Sequence, residues 1–184
     1  MRRLLAWNIM TLDGLFEGTK PWDLSMHELV WGEELQQLSR EQHADAGLLL
    51  FGRRTYEGMA SYWRGETGEI ADDMNSLPKA VISNTLEVAD WNNTRLIAGD
   101  GVEQVRALKA EVGKNIYVFG SAELLGSLLA AGLVDEYRVC ISPVILGEGT
   151  PLFKPATGKV RFDLAEARPL SNGGVLLRYL PRAA

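Results

Sequence analysis

The chain has 184 residues, 46% hydrophobic and 23% charged, proportions that suffice to enclose one good core, and a single domain over residues 1–184 is expected. A formal net charge of −5 argues against nucleic acid or an anionic membrane as partner, since both require a broad basic face; any anion site must be local. One cysteine cannot make an internal disulfide, and with two histidines it leaves no ligand set for zinc.

The opening MRRLLAWNIM is basic, but Asn8 and Asp13 interrupt its apolar run and no small-residue cleavage site follows. It reads as folded chain and not as a signal peptide. No window approaches the roughly 18 apolar residues of a membrane span, so a cytoplasmic protein is expected. A first strand is expected over Arg3–Ile9. From Met26 to Ala44 the pattern is helical, and Ser25 with Glu28 makes the capping-box arrangement that would start such a helix. Gly47–Phe51 reads as a buried strand, followed by a helix over Thr55–Tyr62; Arg64–Pro78 reads as a loop with one helical turn.

Strands over Lys79–Ile82, Arg95–Ala98 and Ile116–Phe119 alternate with helices over Val102–Glu111 and Ala122–Ala130. This alternation argues for a mostly parallel sheet with covering helices. After Gly132 it stops, and strands follow over Glu136–Ile145, Arg161–Arg168 and Val175–Leu180, the last two joined as an antiparallel hairpin through PLSNGG. The fold class is α/β, with a mixed, mostly parallel sheet of about eight strands. Cys140, inside the apolar run YRVCISPVIL, is read as a small buried hydrophobe.

In sheets of this kind ligands gather beyond the carboxyl ends of the strands, where the following helices point free N–H groups. LLLFGRRTYE sets Gly52, Arg53, Arg54 and Thr55 at one such end. Cations there oppose the helix dipole by a few tenths to about 1 kcal/mol, and an anion bound between them reverses the sign. The alternative is that both arginines reach solvent or pair with Glu57. IYVFGSAELLGSLL sets Gly120 and Ser121 at a second end, with Ser121 able to cap the next helix; KAVISNT sets Ser83, Asn84 and Thr85 at a third. Together the three ends describe a cleft for an extended phosphorylated cofactor. No G-x-G-x-x-G turn or P-loop is present, and QHADAG lacks the Pro-Cys-x-x-Cys that would complete a zinc deaminase site.

The segments MTLDG, FGRRTYE, VISN, VFGSAELLGSLLAAGLVDE and ISPVILGEGTPLF, in this order and over nearly the whole chain, resemble the dihydrofolate reductase-like superfamily. Within it they look like stand-alone relatives of the C-terminal reductase domain of bifunctional riboflavin-biosynthesis deaminase-reductases. The resemblance implies a three-layer α/β/α fold and an enzyme that takes hydride from NADPH. Its nearest activity is reduction of 5-amino-6-(5-phosphoribosylamino)uracil; the alternatives are a dihydrofolate reductase and a non-catalytic nucleotide-binding homodimer. By position, Arg53, Arg54 and Ser83, with Asn84 adjacent, would hold the adenosine 2′-phosphate. Gly52, Thr55, Gly120, Ser121, Ala122, Glu123 and Leu124 would hold the diphosphate, and Trp7, Asn8, Leu12 and Gly14 would frame the nicotinamide.

Asp13, His27 and Glu28 are the candidate proton sources, although Asp13 can serve its own turn, Glu28 can serve as a cap, and His27 can be a wall residue that packs or binds water. His27 precedes Trp31, Leu35 and Leu38 at helical spacing and is placed on their face. Trp22, Trp31, Tyr56, Trp63 and Phe153 are candidates to line a pocket for a flat heterocycle. Two departures stand out. Phe119 stands where the riboflavin-pathway reductases tend to carry a glutamate, and His27 stands where dihydrofolate reductases carry an acid. A homodimer is implied, and the apolar DEYRVCISPVIL would need cover if it lay at an edge.

Overall fold

The computed structural model describes residues 1–154 and 158–182. Its strands are β1 (Leu4–Thr11), β2 (Leu15–Glu17), β3 (Ala46–Gly52), β4 (Lys79–Ile82), β5 (Thr94–Ile97), β6 (Asn115–Phe119), β7 (Glu136–Ser142), β8 (Thr150–Pro151), β9 (Phe162–Pro169) and β10 (Val175–Pro181). Eight of them form one sheet in the order β5-β4-β3-β6-β1-β7-β10-β9. The strands from β5 to β7 run parallel, and β10 and β9 complete the sheet antiparallel. The expected mixed sheet with a closing hairpin is therefore present. A separate pairing of β2 with β8 had no counterpart in the sequence reading, because segments of three and two residues are too short to show a period.

Alternation along the central strands divides the apolar residues between two faces. Leu4, Ala6, Leu48, Leu50, Ile116 and Val118 meet α4 (Gly101–Ala110) and α5 (Ala122–Ala130). On the opposite face Leu49, Phe51 and Tyr117 meet α2 (Arg53–Trp63) and α3 (Glu69–Ser76), while Ile9, Cys140 and Leu176 meet Leu35 and Leu38 of α1 (Glu33–Asp45). Cys140 is buried and free, as read. Among the described residues no helix is long and apolar enough to cross a membrane.

Three expectations need correction. The first helix does not run on from Met26: a 3-10 turn over Ser25–His27 precedes α1, with Gly32 extended between them. Ser25 caps nothing, because its hydroxyl is bonded to Asp23 Oδ1 at 2.9 Å. Second, most of the segment assigned to a loop forms α3, anchored by buried Ala71 and Met74 three positions apart. Third, β7 is not an edge strand. It pairs with β1 on one side and β10 on the other, so its apolar run is covered within the sheet, whose edges are β5 and β9.

Two buried charges brace this frame. Lys79, fully buried at the start of β4, donates to the carbonyls of Asn75, Leu77 and Asn92 at 3.1, 2.7 and 3.0 Å, tying α3 to the loop before β5. Burial pushes its pKa down to about 8. On β7 the Glu136 carboxylate, 1% exposed, meets Arg3, Arg138 and Arg178 at 3.0, 2.5 and 3.0 Å. Burial alone would raise its pKa; hydrogen bonds from Arg178 and Arg138 outweigh that and bring it to about 2.

Because the folded pKa of Glu136 lies below its ordinary 4.5, its contribution is fully present above that value and is lost as pH falls toward 2. Glu136→Gln should lower stability by about 2 kcal/mol at neutral pH, less than the roughly 3–5 kcal/mol of a fully enclosed pair because solvent reaches Arg3 and Arg178. Urea midpoints of both proteins between neutral and acid pH measure this, and the two curves should converge below about pH 2.

Candidate functional site

The carboxyl ends of β4, β3, β6 and β1 are neighbours in the sheet, and they floor a cleft of about 750 Å³. Two strand-to-helix turns form its centre. Gly52 N–H donates to Ser121 Oγ at 2.8 Å, and Ser121 N–H donates to Thr55 Oγ1 at 3.0 Å. The hydroxyl expected to cap α5 is thus spent on the neighbouring turn. Ser121 takes left-handed backbone angles of φ 57° and ψ 57° to reach it, and no side chain caps the first amides of α5. Those amides, on Ala122, Glu123 and Leu124, line the cleft. Gly120 is also left-handed, at φ 57°, and a Cβ there would come within 3.2 Å of the Thr55 methyl group.

α2 has no acidic residue in its first turn and no side-chain cap, yet it begins with Arg53 and Arg54. Arg53 lies 3.7 Å from Glu57, and Arg54 reaches Glu17 only at 4.0 Å; their side chains are 47% and 70% exposed. Contacts this long between exposed groups contribute little and leave both guanidiniums able to take an anion. Ser83, beyond β4, accepts from the amides of Thr85 and Leu86 at 3.1 and 2.9 Å, which leaves its hydroxyl proton available to a ligand. On β1, Asn8 Oδ1 is buried at the cleft without a protein partner, an acceptor in need of a donor.

The other end of the cleft lies between α1, α2 and α3. Trp22, Trp31, Met59, Trp63, Ile70 and Met74 line it, and its polar side chains are Ser39, His27 and His43. His27 closes the 3-10 turn, so it reaches the cleft by a different route from the helix face on which sequence placed it. Burial lowers its pKa to about 4, so it is uncharged at neutral pH. His43 Nδ1 lies 3.3 Å from Asp73 Oδ2; burial lowers its pKa, and the Asp73 carboxylate opposes that shift. Glu17 Oε1 accepts from the Trp22 amide at 2.6 Å and fixes the loop that carries the indole.

Of the residues singled out from sequence, Trp7, Asn8, Trp22, His27, Trp31, Gly52, Arg53, Arg54, Thr55, Trp63, Ser83, Thr85, Gly120, Ser121, Ala122, Glu123 and Leu124 share the cleft. Seven lie outside its lining. Asp13 accepts from Thr11 Oγ1 at 2.5 Å and from Gly147 N–H at 2.8 Å, and these bonds hold its pKa below the usual carboxylate range while it ties two loops together. Leu12 beside it is exposed, and Gly14 belongs to the same turn. Glu28 is exposed after the 3-10 turn. Tyr56 is buried against Phe51, with its hydroxyl accepting from the Trp91 amide at 2.8 Å. Asn84 clasps Gly99 through both its amide N–H and carbonyl. Phe153 stands edge-on to Tyr137, 5.8 Å between centroids.

Sequence reasoning passed over Glu17, Gly58, Met59, Ile70, Met74 and Lys154, and it set His43 aside with the absent zinc site. One legible signal existed, a glycine in mid-helix. An added Cβ at Gly58 would fall 2.4 Å from the Trp22 ring, so the missing side chain lets that indole lie against α2.

The RibD C-terminal domain family matches residues 2–176 of the chain. The uncharacterized protein YyaP of Bacillus subtilis is 30% identical over 186 residues, covering 97% of this chain and 94% of that protein. A protein of Shewanella sp. PV-4 assigned provisionally to riboflavin biosynthesis superposes with a TM-score of 0.79 at 20% identity, covering 98% and 99% of the two chains. Dihydrofolate reductase of Enterococcus faecalis, solved with NADP(H), superposes with a TM-score of 0.68 at 15% identity, covering 98% and 97%. The three-layer fold expected from sequence is the fold of these proteins.

The tie between the two turns is open to test. Ser121→Ala should lower stability by about 1–2 kcal/mol, because it removes the acceptor of the Gly52 amide. Ser121→Gly should lose about 1 kcal/mol less than Ser121→Ala, because glycine accepts those angles. Thermal or urea unfolding gives the order of the three proteins.

Proposed function

The chain belongs to the RibD C-terminal domain family, a family of riboflavin-pathway reductases, and from that premise we propose that it is an NADPH-dependent reductase of a small pyrimidine- or pterin-like heterocycle. The observation that carries this reading is the pair of guanidiniums at the start of α2, whose first turn holds no acid, beside the Ser83 hydroxyl and the uncapped amides of α5. Two cations at the positive end of a helix are unfavourable alone and favourable around a dianionic phosphate.

The residues present fit such a cofactor. Arg53, Arg54 and Ser83 would hold its 2′-phosphate, and Gly52, Thr55 and the amides from Gly120 to Leu124 would hold its diphosphate. Trp7 and Asn8 would frame the nicotinamide, whose carboxamide N–H groups suit the unpartnered Asn8 oxygen. When bound, the reduced ring supplies hydride to the carbon of a polarised double bond, whose heteroatom takes up a proton. The chain's own part is alignment, exclusion of water by the aromatic wall, and the movement of that proton. His27, uncharged at neutral pH, offers one N–H and one lone pair at the cleft wall and can orient the water that delivers it. The resemblance also implies a homodimer, and the open edge strand β9, with Leu164 56% exposed, is the surface this reading gives it.

Three outcomes are expected. Arg53→Ala and Arg54→Ala should each weaken NADPH about ten- to a hundredfold in equilibrium titrations and change NADH far less; equal losses for the two cofactors would reject the phosphate role. His27→Ala should lower kcat by about tenfold or more with NADPH affinity retained, and unchanged turnover would remove His27 from the chemistry. Light scattering should give the mass of two chains.

A further inference from the structure

The uneven distribution of charge along the cleft restricts what can be reduced in it. Among the described residues, every lysine and arginine of its lining belongs to the end where α2 and α5 begin: Arg53, Arg54 and Lys154. Each lining carboxylate lies within 4.0 Å of one of these cations. Glu57 faces Arg53, Glu123 meets Lys154 at 2.5 Å, and Glu17 takes the Trp22 amide and the Thr150 hydroxyl. Among the described residues, the lining between α1, α2 and α3 holds no lysine, arginine or carboxylate, only indoles, thioethers and Ile70 around Ser39, His27 and His43, with Asp73 behind His43 and paired to it. A substrate with a formal charge would lose its hydration there without a partner.

The way out on that side is no kinder to an anion. A groove that shares Trp31, Trp63 and Ile70 with the cleft continues past Arg40, Glu66 and Glu69. Arg40 is turned to Glu69 at 3.7 Å, so the local balance is negative and a phosphate monoester emerging there would be repelled. The apolar wall is also a built feature. Trp22 is held with φ 65°, its amide on Glu17 and its ring on the bare backbone of Gly58, so a glycine in mid-helix and a left-handed tryptophan are both spent on placing one indole.

We propose that the substrate is an uncharged, phosphate-free planar ring system, received between Trp22, Trp31 and Trp63 and read through the imidazoles of His27 and His43. This inference rests on the reductase reading and narrows it, since it excludes phosphoribosyl-pyrimidines from the same site. The imidazoles suit such a ring because each neutral imidazole presents one donor and one acceptor, matching the amide edge of an uncharged heterocycle, where a carboxylate would select a cationic or amidine edge. His43 adds orientation, because the Asp73 carboxylate accepts from its Nδ1–H and leaves Nε2 as the acceptor.

The test uses tryptophan quenching of the full chain, with and without saturating NADPH, and three probes: quinazolinedione, ribosylaminouracil and ribosylaminouracil 5′-phosphate. Quinazolinedione should bind most tightly, and adding the phosphate should weaken ribosylaminouracil about tenfold or more. A phosphorylated probe that binds as tightly as its dephosphorylated form, or more tightly, would overturn the proposal. Gly58→Ala, which displaces Trp22, and Trp63→Leu should each weaken quinazolinedione roughly three- to tenfold with NADPH affinity unchanged. Unchanged quinazolinedione affinity in both variants would equally overturn it. NADPH titration of the same samples separates the two readings: loss of 2′-phosphate selectivity concerns the cofactor, and probe binding without NADPH concerns this inference alone.

Discussion

Two reciprocal hydrogen bonds, Gly52 N–H to Ser121 Oγ and Ser121 N–H to Thr55 Oγ1, are the constraint on which the site depends. Parallel neighbours β3 and β6 bring two strand-to-helix turns side by side, but adjacency alone would leave them free to splay. The tie locks them, and it does so by diverting the one hydroxyl that could have capped α5. Helix stability is given up for a helix start with its amides open. The left-handed angles of Ser121 are the strain that accompanies this choice, and strain of this kind persists only where surrounding bonds determine it.

From that centre the cleft divides into two halves of opposite character. Toward β4 lie cations on a positive helix end, which make sense together only around an anion. Toward α1 and α3 lie indoles and thioethers with two imidazoles, His43 buried and His27 half-buried. The division follows from the topology, because the strand ends can offer turns and helix starts, whereas the gap between helices can offer only side chains. Loop variation over a constant sheet is how one fold serves different substrates, and here the variable half has become apolar.

How much of this was visible in the sequence follows the range of the interactions. Strands β3 and β6 read clearly, because each is a short apolar run that meets a glycine and precedes a helical period, and β4 reads as a short apolar run that ends at Ser83. The arginines after Gly52 were legible as an electrostatic anomaly in a local pattern. The break before α1 was not, because the capping-box pattern at Ser25 and Glu28 is satisfied on paper while Asp23, two residues away, takes the hydroxyl. α3 was missed because Gly, Glu and Asp around it resemble a loop and its helix is held by tertiary burial of Ala71 and Met74. Tyr56 and Phe153 are aromatics whose partners, Trp91 and Tyr137, lie far along the chain, so nothing local distinguishes a core ring from a ligand-facing one. Gly58 is the instructive case: its purpose is a ring 36 positions earlier.

The position of β1 in the sheet bears on biogenesis. β1 is a central strand whose partners, β6 and β7, come far later in the chain, with Leu4 opposite Ile116 and Leu5 opposite Glu136. A ribosome releasing this chain exposes an apolar strand with both edges unsatisfied until most of the polypeptide has followed. Such delayed, long-range closure slows folding and leaves the nascent protein open to mispairing and to capture by chaperones.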